Sequence, residues 1–348
     1  MCIRDRNDDI RSISFDKLNN FIQKNNFPSY RSNQIFNWIN KSTLRSFDDM
    51  TNIPKSLVKL LKENFVINIT SILSKQVSND STIKFAIKLH DNLVVESVLI
   101  PSGNRVTACV SSQVGCSLDC GFCATSKLLR MRNLHSYEIF DQIMILNSQS
   151  LKNYSLPISN IVFMGMGEPL LNYKNVIESI KLITSEDGIK ISNKKITLST
   201  SGISKMIIKM SDDNIKFNLA VSLHSAVEET RNMIMPFSKS FPLDKLMNSL
   251  DYWYKKTKRK VTFEYLIWKG INDDLHHIEA LVKICKRIPS KVNLIEYNSI
   301  DSPTFKKADD FWVDNYLKIL KKNKIPVSVR RSRGKDINAA CGQLANKH

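Results

Sequence analysis

Hydrophobic side chains recur at helical spacing in the first part of the chain. Three groups show the spacing: Leu18, Phe21 and Ile22; Ile35, Phe36 and Ile39; and Leu57, Leu60 and Leu61. Pro28 and Pro54 separate these groups, and proline interrupts or begins a helix because it lacks the amide hydrogen. The pattern predicts a small bundle of short helices, and we take residues 1–75 as an N-terminal helical domain. Residues 1–6 show no pattern, and no role is predicted for them.

The pattern changes to alternation after about residue 70. Phe85, Ile87 and Leu89 alternate with polar residues, and an apolar run covers 93–100. Alternation with a period of two is typical of strands that are buried on one face. We therefore expect two or three strands here and treat residues 76–101 as a β-strand linker region.

A rhythm of strand followed by helix begins after Pro101 and continues to the end of the chain. The predicted strands are 106–110, 160–164, 195–200, 216–223, 261–267, 291–295 and 327–330, and helices are predicted at 137–147, 175–184, 243–254, 276–286 and 311–322. Such alternation favours a parallel sheet covered by helices. The predicted fold class is α/β, a complete or partial (β/α) barrel of the TIM type, over residues 102–348.

Polar features follow five of these predicted strands. They are Cys116–Cys123, Gly165–Pro169, Ser199, the pair Ser222 and His224, and Asn298. Loops at the carboxyl ends of barrel strands converge on one bound molecule, which is where such folds place their active sites. The sequence therefore predicts a single site at that end of the sheet.

Composition and charge bound the class of protein. The 348 residues are 42% hydrophobic and 24% charged, which is enough apolar material for a sizeable core. No apolar run approaches the length of a membrane span, and the N-terminus lacks a signal-peptide pattern, so we expect a cytosolic protein. The net charge of +18 favours a polyanionic partner, most often nucleic acid, although a chain rich in lysine throughout would also show it.

The cysteines indicate a metal site rather than disulfides. Seven cysteines without an export signal do not form a disulfide framework. Cys116, Cys120 and Cys123 form a C-x3-C-x2-C run, and three thiolates on one loop can each bind one iron of a cubane cluster. A structural zinc ion is the alternative, with His135 available as its fourth ligand.

Three motifs carry a resemblance to a known family. They are Val110-Ser111-Ser112-Gln113-Val114-Gly115-Cys116, Gly165-Met166-Gly167-Glu168-Pro169 and Ala340-Cys341-Gly342-Gln343-Leu344. Together with the cysteine triplet they resemble the radical S-adenosylmethionine (SAM) enzymes, and more closely the RNA adenine-C2 methyltransferases of the RlmN type. The likeness extends from about Leu18 to the C-terminus.

The resemblance implies two cofactors and the residues that bind them. Cys116, Cys120 and Cys123 would hold a [4Fe–4S] cluster, whose fourth iron binds SAM. Gly167 would let the backbone approach SAM closely, and Glu168 would accept a hydrogen bond from its amino group. The remaining SAM-binding positions implied by the resemblance are Ser199, Ser222, Leu223 through its backbone, His224 and Asn298.

The resemblance also implies the catalytic residues and two SAM molecules per turnover. Cys341 would take a methyl group from one SAM, and a 5′-deoxyadenosyl radical from the second would activate that methyl group for addition to C2. Cys109 would resolve the resulting thioether adduct and leave a transient Cys109–Cys341 disulfide. Glu96 would be the proton acceptor.

The partners implied by the resemblance are 23S ribosomal RNA, a subset of transfer RNAs and an electron donor such as flavodoxin or ferredoxin. We expect a monomer with no membrane contact and no obligate protein partner. Residues 330–333 and 255–260 are candidate phosphate contacts. The alternatives are a C8-adenine 23S rRNA methyltransferase of the antibiotic-resistance type, a zinc-stabilised RNA-binding protein without catalysis, and a radical SAM enzyme acting on a small metabolite.

Overall fold

Three amphipathic helices form the N-terminal part of the protein. The computed structural model describes residues 8–41, 44–186, 188–300 and 304–346, so residues 1–6 lie outside the described residues. The helices are α1 (Phe15–Lys24), α2 (Tyr30–Ile39) and α3 (Lys55–Asn64). Their apolar faces meet in a core of their own that includes Leu18, Ile35 and Leu57, which confirms the helical spacing. The Ser14 side chain caps α1 by accepting a hydrogen bond from the amide of Lys17.

A ten-stranded sheet forms the main body. Its strands are β1 (Ser71–Val77), β2 (Ile83–Lys88), β3 (Val94–Ser102), β4 (Arg105–Cys109), β5 (Asn160–Phe163), β6 (Ile196–Thr200), β7 (Asn218–Ser222), β8 (Val261–Leu266), β9 (Ser290–Ile295) and β10 (Val327–Arg330). They pair in chain order, antiparallel from β1 to β4 and parallel from β4 to β10. The predicted domain boundary between residues 75 and 76 falls inside β1. The strands expected in the linker region belong to the ten-stranded sheet of the main body.

The parallel half of the sheet is covered by helices, as the alternating pattern predicts. These helices are α4 (Ser136–Tyr154), α5 (Tyr173–Thr184), α6 (Ser204–Asp212), α7 (Glu228–Ile234), α8 (Leu243–Thr257), α9 (Leu275–Arg287) and α10 (Asp310–Lys322). Buried side chains of strands and helices form one continuous apolar core, with Phe263 of β8 and Leu250 of α8 among its fully buried members. The architecture is the partial (β/α) barrel. No helix in the described ranges is long and apolar enough to cross a membrane.

The two edge strands, β1 and β10, do not pair with each other, and loops bridge the gap between them. Ser78 Oγ donates a hydrogen bond of 2.6 Å to Asp336 Oδ1, and the amide of Gly334 donates one of 2.9 Å to Asp80 Oδ2. Although partial burial opposes it, hydrogen bonds from Thr82 and Gly334 hold the pKa of Asp80 at about 2. The segment after β10 is therefore tied to the first hairpin of the sheet.

Arg11 joins the helical domain to the barrel. Its Nη1 donates to both carboxylate oxygens of Asp141 in α4, each at 3.1 Å, and its Nη2 lies 3.1 Å from Asp9 Oδ2. The guanidinium also lies over the ring of Tyr137, 4.2 Å from its centroid. Only 7% of the Arg11 side chain is exposed, so this is a buried ionic contact between the two parts of the protein.

Candidate active site

Two of the sequence motifs interlock at the ends of β4 and β5. Met166 N donates to Ser111 Oγ at 2.8 Å, and Ser111 Oγ donates to the carbonyl of Glu96 at 2.6 Å. A Cβ atom on Gly165 would lie 2.7 Å from the carbonyl oxygen of Val110, which is closer than side chains approach. The small residue therefore allows the backbones of the two motifs to touch.

The three cysteines of the C-x3-C-x2-C run line one cavity at the carboxyl end of the parallel strands. The loop that carries them lies between the two strands of a short antiparallel ribbon, in which Gln113–Val114 pairs with Arg132–Asn133. Ser126 Oγ lies 2.6 Å from the carbonyl oxygen of Cys120 and 2.7 Å from that of Cys123. These hydrogen-bonding contacts stabilise the conformation of the loop. Burial raises the pKa of the Cys116 thiol to about 11 and that of Cys120 well above its usual value. Such thiols stay protonated until a metal displaces the proton.

Glu168 lies opposite the cysteine loop in the same cavity and is buried. Its Oε1 accepts a hydrogen bond of 3.0 Å from the amide of Leu170, and its Oε2 accepts one of 2.7 Å from the amide of Ser201. Burial raises the pKa of Glu168, and these backbone bonds counteract the burial. Gly167 has a φ of +92°, and Gln113, whose Oε1 accepts from the Glu168 amide at 2.8 Å, fills the space that a Cβ on Gly167 would need.

Arg231 of α7 ties together the ends of β6 and β7. The residue is fully buried, and its guanidinium donates to the carbonyls of Ser201 at 2.7 Å and Ser222 at 3.1 Å and to the carbonyl of Leu223. Burial lowers the pKa of Arg231 to about 10, which still leaves it cationic at neutral pH. A buried cation thus satisfies three strand-end carbonyls, and Ser199 and Ser222 line the cavity beside it.

His224 lines the cavity as a neutral ring. Burial, and then the charge of Arg231, lowers its pKa to about 3. Its Nδ1 accepts a hydrogen bond of 3.2 Å from the amide of Leu266, so the single ring proton of the neutral form resides on Nε2. The backbone at His224 has a φ of +56°, the left-handed region, and its carbonyl is held by Asn272 Nδ2 at 2.9 Å. The ring is therefore fixed and offers one N–H donor.

Cys341 enters the cavity from the segment that follows β10. The amide of Ala124, next to Cys123, donates to the carbonyl of Gly342 at 2.7 Å, and Thr125 Oγ1 donates to the carbonyl of Leu344 at 2.7 Å. Asn298 Nδ2 reaches the Cys341 carbonyl at 3.4 Å, while its buried Oδ1 has no hydrogen-bond partner among the described residues. The segment that carries Cys341 is thus attached directly to the cysteine loop.

The thiols of Cys109 and Cys341 are electrostatically coupled. Burial raises the pKa of Cys109 to about 12, and the charge of Cys341 adds to this rise. As a whole residue Cys341 is exposed, but protein atoms enclose its thiol, and this desolvation raises its pKa to about 11. Arg330 at the end of β10 favours the thiolate of both cysteines, and its guanidinium lies 3.5 Å from Met164 Sδ. Arg330, a candidate phosphate contact by sequence, thus acts electrostatically on both thiols.

Glu96 is buried in β3 and does not line this cavity. Its Oε1 lies 3.0 Å from Lys84 Nζ, and both of these side chains are almost inaccessible to solvent. Its Oε2 accepts hydrogen bonds from the amides of Ala345 at 2.8 Å and Asn346 at 3.2 Å. In this arrangement Glu96 binds the end of the Cys341 segment.

The structure brings most of the predicted site residues together. Nine of them line the cavity: Cys116, Cys120, Cys123, Gly167, Glu168, Ser199, Ser222, His224 and Cys341. Leu223 is buried next to Ser222 and His224, Asn298 contacts the Cys341 segment, and Cys109 and Glu96 are buried and do not line the cavity. Within residues 8–41, 44–186, 188–300 and 304–346, no three His, Cys, Asp or Glu side chains form a site for a single metal ion. His135, the zinc alternative's fourth ligand, stacks on Tyr137 with ring centroids 5.3 Å apart and does not line the cavity.

Three further residues shape the site and were not singled out from the sequence. Arg231 and Thr125 make the contacts described above, and Glu264 of β8 lines the cavity with a buried carboxylate. A lone glutamate within the apolar run Val261–Leu266 was the signal available for Glu264. No sequence pattern marks Arg231 or Thr125, because their partners are distant carbonyl groups.

Comparison with known families accounts for both parts of the chain. The model of the radical SAM superfamily matches residues 110–283, which contain the cysteine loop and the strands around the cavity. The model of the ribosomal RNA large subunit methyltransferase N-terminal domain matches residues 9–67, which form the helical domain.

Similar proteins extend over nearly the whole chain. A protein of Flavobacterium johnsoniae, named probable dual-specificity RNA methyltransferase RlmN, is 59% identical over 97% of this chain and 97% of its own length. A protein of the same name from Flavobacterium psychrophilum is 58% identical over 97% and 98%. The crystal structure of a radical SAM methyltransferase from Sphaerobacter thermophilus is 32% identical and superimposes with a TM-score of 0.86, covering 97% and 98% of the two chains. By sequence, fold and the residues around its cavity, this chain belongs to the RlmN family of the radical SAM superfamily.

Proposed function

We propose that this protein methylates C2 of a specific adenosine in 23S ribosomal RNA and of adenosine in certain transfer RNAs. Its family makes it a radical SAM RNA methyltransferase, and its relatives carry the name of dual-specificity RNA methyltransferases. The observation that supports the proposal best is the pair of coupled thiols, Cys109 and Cys341, beside the cavity that the cysteine triplet lines. A radical SAM enzyme without a protein methyl carrier would not need that pair.

The residues around the cavity fit the two cofactors of the superfamily, a [4Fe–4S] cluster and SAM. Three thiols on one loop are the donor set of a cluster that leaves one iron free. Gly167 lines the cavity, where Gln113 leaves no room for a Cβ on it, and buried Asn298 Oδ1 and Tyr297 Oη lack hydrogen-bond partners among the described residues. Cys116, Cys120 and Cys123 would hold the cluster, and when bound the two cofactors supply a methyl group and a radical that removes a hydrogen atom.

The side chains of the SAM site would bind the SAM molecule and fix its orientation. Glu168 has further lone pairs for the amino group of SAM, and the His224 Nε2–H can donate to an acceptor in the cavity. Ser199, Ser222, the backbone of Leu223 and Asn298 would contact the rest of the molecule. Glu168, the Leu223 carbonyl and His224 are held by backbone amides or by Arg231, so this part of the site is formed before its ligand binds.

The thiols of Cys341 and Cys109 would act in turn, the first to carry the methyl carbon and the second to release it. Cys341 accepts the methyl group on its sulfur, and that carbon is then joined to C2 of adenine, which tethers the RNA to the protein. Cys109 gives up its thiol proton and its sulfur attacks the sulfur of Cys341. The bond from the Cys341 sulfur to the tethering carbon breaks, and its electron pair stays on that carbon, which takes up a proton and becomes the methyl group. A Cys109–Cys341 disulfide remains. A cytosolic thiol reductant regenerates the pair. Glu96 serves as proton acceptor once the amides of Ala345 and Asn346 have left its Oε2.

The RNA would be held by charge and by shape. The net charge of +18 favours phosphate contacts, and residues 255–260, with Arg331 and Arg333, are exposed or partly exposed basic positions that could make them. The target adenosine must leave its stack to enter the cavity, which favours a looped position in folded RNA that the helical domain helps to hold. The remaining partner is a flavodoxin or ferredoxin electron donor, and the enzyme acts as a cytoplasmic monomer.

Mass spectrometry of digested RNA tests the function and its position specificity together. The chain is expressed in a host that lacks adenine-C2 methylation, and total ribosomal and transfer RNA are analysed for methylated adenosines. We expect 2-methyladenosine in both RNA classes. Formation of 8-methyladenosine instead would move the protein to the C8 reaction, and absence of both would contradict the proposal.

A further inference from the structure

Glu264 is a buried carboxylate whose second oxygen is unused. It lies in β8, is 3% exposed and lines the cavity. Its Oε1 accepts a hydrogen bond of 3.0 Å from Asn293 Nδ2, whereas its buried Oε2 has no hydrogen-bond partner among the described residues. An unpaired carboxylate oxygen is costly to bury, so this atom marks a place where a proton or a donor belongs.

The orientation of Glu264 is fixed by its neighbours in the sheet. In the parallel register Glu264 lies between Ser222 of β7 and Asn293 of β9, so the three side chains share one face. Ser328 Oγ donates to Asn293 Oδ1 at 2.8 Å, which turns the Asn293 amide group toward Glu264 Oε1. The backbone carbonyl of Glu264 accepts from the amides of Leu223 at 3.1 Å and His224 at 3.3 Å. The free oxygen is thus held on the same scaffold as the SAM site.

Cys341 lines the same cavity and interacts electrostatically with Glu264. Burial raises the pKa of the Cys341 thiol, Arg330 opposes this rise, and the charge of Glu264 adds to it. Burial likewise raises the pKa of Glu264, against the charges of Arg330 and Lys291. The thiol and the carboxylate thus line one cavity, and Arg330 acts electrostatically on both.

The methyl-accepting step of the proposed function releases a proton that no residue has yet been assigned to receive. Two carboxylates line the cavity in the described part of the chain, Glu168 and Glu264. Both oxygens of Glu168 accept backbone hydrogen bonds. Glu96, outside the lining, has its Oε1 in an ion pair with Lys84 and its Oε2 in hydrogen bonds from two amides. Among the three, Glu264 alone has an oxygen with neither a hydrogen bond nor an ion pair to the described residues.

We infer that Glu264 is the base that takes the thiol proton of Cys341 when this residue accepts its methyl group. The proton moves from Sγ of Cys341 to Oε2 of Glu264, and the sulfur forms a bond to the methyl carbon of SAM. The bond from that carbon to the sulfonium breaks, and its electron pair stays on the departing sulfur of S-adenosylhomocysteine. One negative carboxylate and one positive sulfonium are consumed, so the charges balance. This inference rests on the proposed function.

The test is single-turnover methylation of Cys341 without RNA, in anaerobically reconstituted wild-type protein and the variant Glu264→Gln. Glutamine keeps the shape and the bond to Asn293 but cannot take a proton. Peptide mass spectrometry follows the gain of one methyl group on Cys341. We expect a rate lower by about a hundredfold or more, the usual contribution of a general base, with SAM binding and cluster absorbance retained. The variant should recover as pH rises and Cys341 ionises by itself, and Glu264→Asp should be partly active.

Glu296→Gln is the matched control, because Glu296 is a partly exposed acid that pairs with Lys307 and Lys335. This control should methylate Cys341 at the wild-type rate. A second measurement uses protein free of both cofactors: the pH profile of Cys341 alkylation should move to lower pH in Glu264→Gln, because one negative charge near the thiol is lost. Arg330, Glu264, Cys123 and Cys109 are the charged or titratable groups that act on this thiol.

The outcomes separate the inference from the function. Wild-type methylation kinetics in Glu264→Gln, or an unmoved alkylation profile, would overturn the role of Glu264. Loss of SAM binding in that variant would make Glu264 a binding residue and would equally overturn its role as the base. If wild-type protein also leaves Cys341 unmethylated, it is the proposed function that fails.

Discussion

The carboxylate of Glu96 binds the backbone of Ala345, through a hydrogen bond of 2.8 Å from that amide to Oε2. The contact joins β3 to the segment that carries Cys341, and the amide of Asn346 strengthens it. Lys84 neutralises the same carboxylate from inside the protein at 3.0 Å. The residue implied as proton acceptor and the position of the methyl-carrying cysteine are therefore linked in one arrangement.

Loosening this segment should make the thiol of Cys341 more accessible to reagents. Thr125→Val removes the hydroxyl that donates to the carbonyl of Leu344 and keeps the shape of the side chain. An unpaired buried carbonyl costs about 1–2 kcal/mol, so the docked state should be weakened about fivefold to thirtyfold. Peptide-resolved alkylation of Cys341 should accelerate to a similar degree. Thr257→Val, in a helix far from the segment, serves as control, and equal rates in all three proteins would contradict the docking role.

Removing the methyl carrier should stop the reaction without disturbing the cluster. In Cys341→Ala we expect no methylated adenosine in RNA, while iron content and cluster absorbance stay at the wild-type level, because the three proposed cluster ligands are untouched. Cys285→Ala, a buried cysteine of α9, should remain active. Full turnover by Cys341→Ala would contradict the covalent carrier mechanism.

Removing the resolving thiol should trap the RNA. Cys109→Ala leaves Cys341 able to form the adduct but removes the group that breaks it. We expect a covalent protein–RNA complex that survives a denaturing gel and disappears after ribonuclease treatment. The double variant Cys109→Ala with Cys341→Ala should show no such band. If Cys109→Ala runs without attached RNA after incubation with substrate, the resolving role of Cys109 is contradicted.

Gly167 combines a left-handed backbone with a crowded environment. Gly167→Ala should cost on the order of 1–3 kcal/mol of strain and displace Gln113, which lies against the missing Cβ. SAM affinity should fall accordingly, as measured by equilibrium dialysis. Gly103 has a similar positive φ of +56° with open space around it, so Gly103→Ala should lose some stability but no SAM affinity.

The bridge from Asp80 to Gly334 should make stability depend on pH in acid. The pKa of Asp80 is lowered to about 2 in the folded protein, below its value of about 3.9 in the unfolded chain. Its stabilisation is therefore complete above about pH 4 and is lost as pH falls through about 2. Asp80→Asn should lower the thermal midpoint at neutral pH by the equivalent of about 1 kcal/mol, and the difference from wild type should vanish near the folded pKa. Asp314→Asn, at an exposed position, should change neither the thermal midpoint nor its dependence on pH.

The elements of the fold and the residues of the cavity were predictable because they depend on local or periodic signals. The alternation in β2, the strand–helix rhythm after Pro101 and the cysteine spacing are all visible within short windows of sequence. The resemblance then indicated which strand-end residues meet, including Ser222 and His224. Domain limits, site roles and the electron donor stay predictions.

What could not be predicted depends on contacts between distant parts of the chain. Gly334 meets Asp80 across 254 residues, and Ala345 meets Glu96 across 249 residues. The unused oxygen of Glu264 is visible only when Asn293 and Ser328 have been placed beside it. Sequence groups Arg330 with neighbouring basic residues on the basis of charge, and only the folded structure shows that it acts electrostatically on two thiols.

The ionic contact of Arg11 with Asp141 has a consequence for how the enzyme would choose among RNAs. A buried pair with two bonds of 3.1 Å tolerates little movement, so the helical domain keeps a constant distance from the cavity. If that domain grips one part of an RNA, the adenosine must be presented at this fixed span. Two RNAs of unrelated sequence would then both be substrates if their folded shapes place the adenosine at this distance from the part that the helical domain binds. Selection would depend on a distance within the folded RNA and not on its sequence.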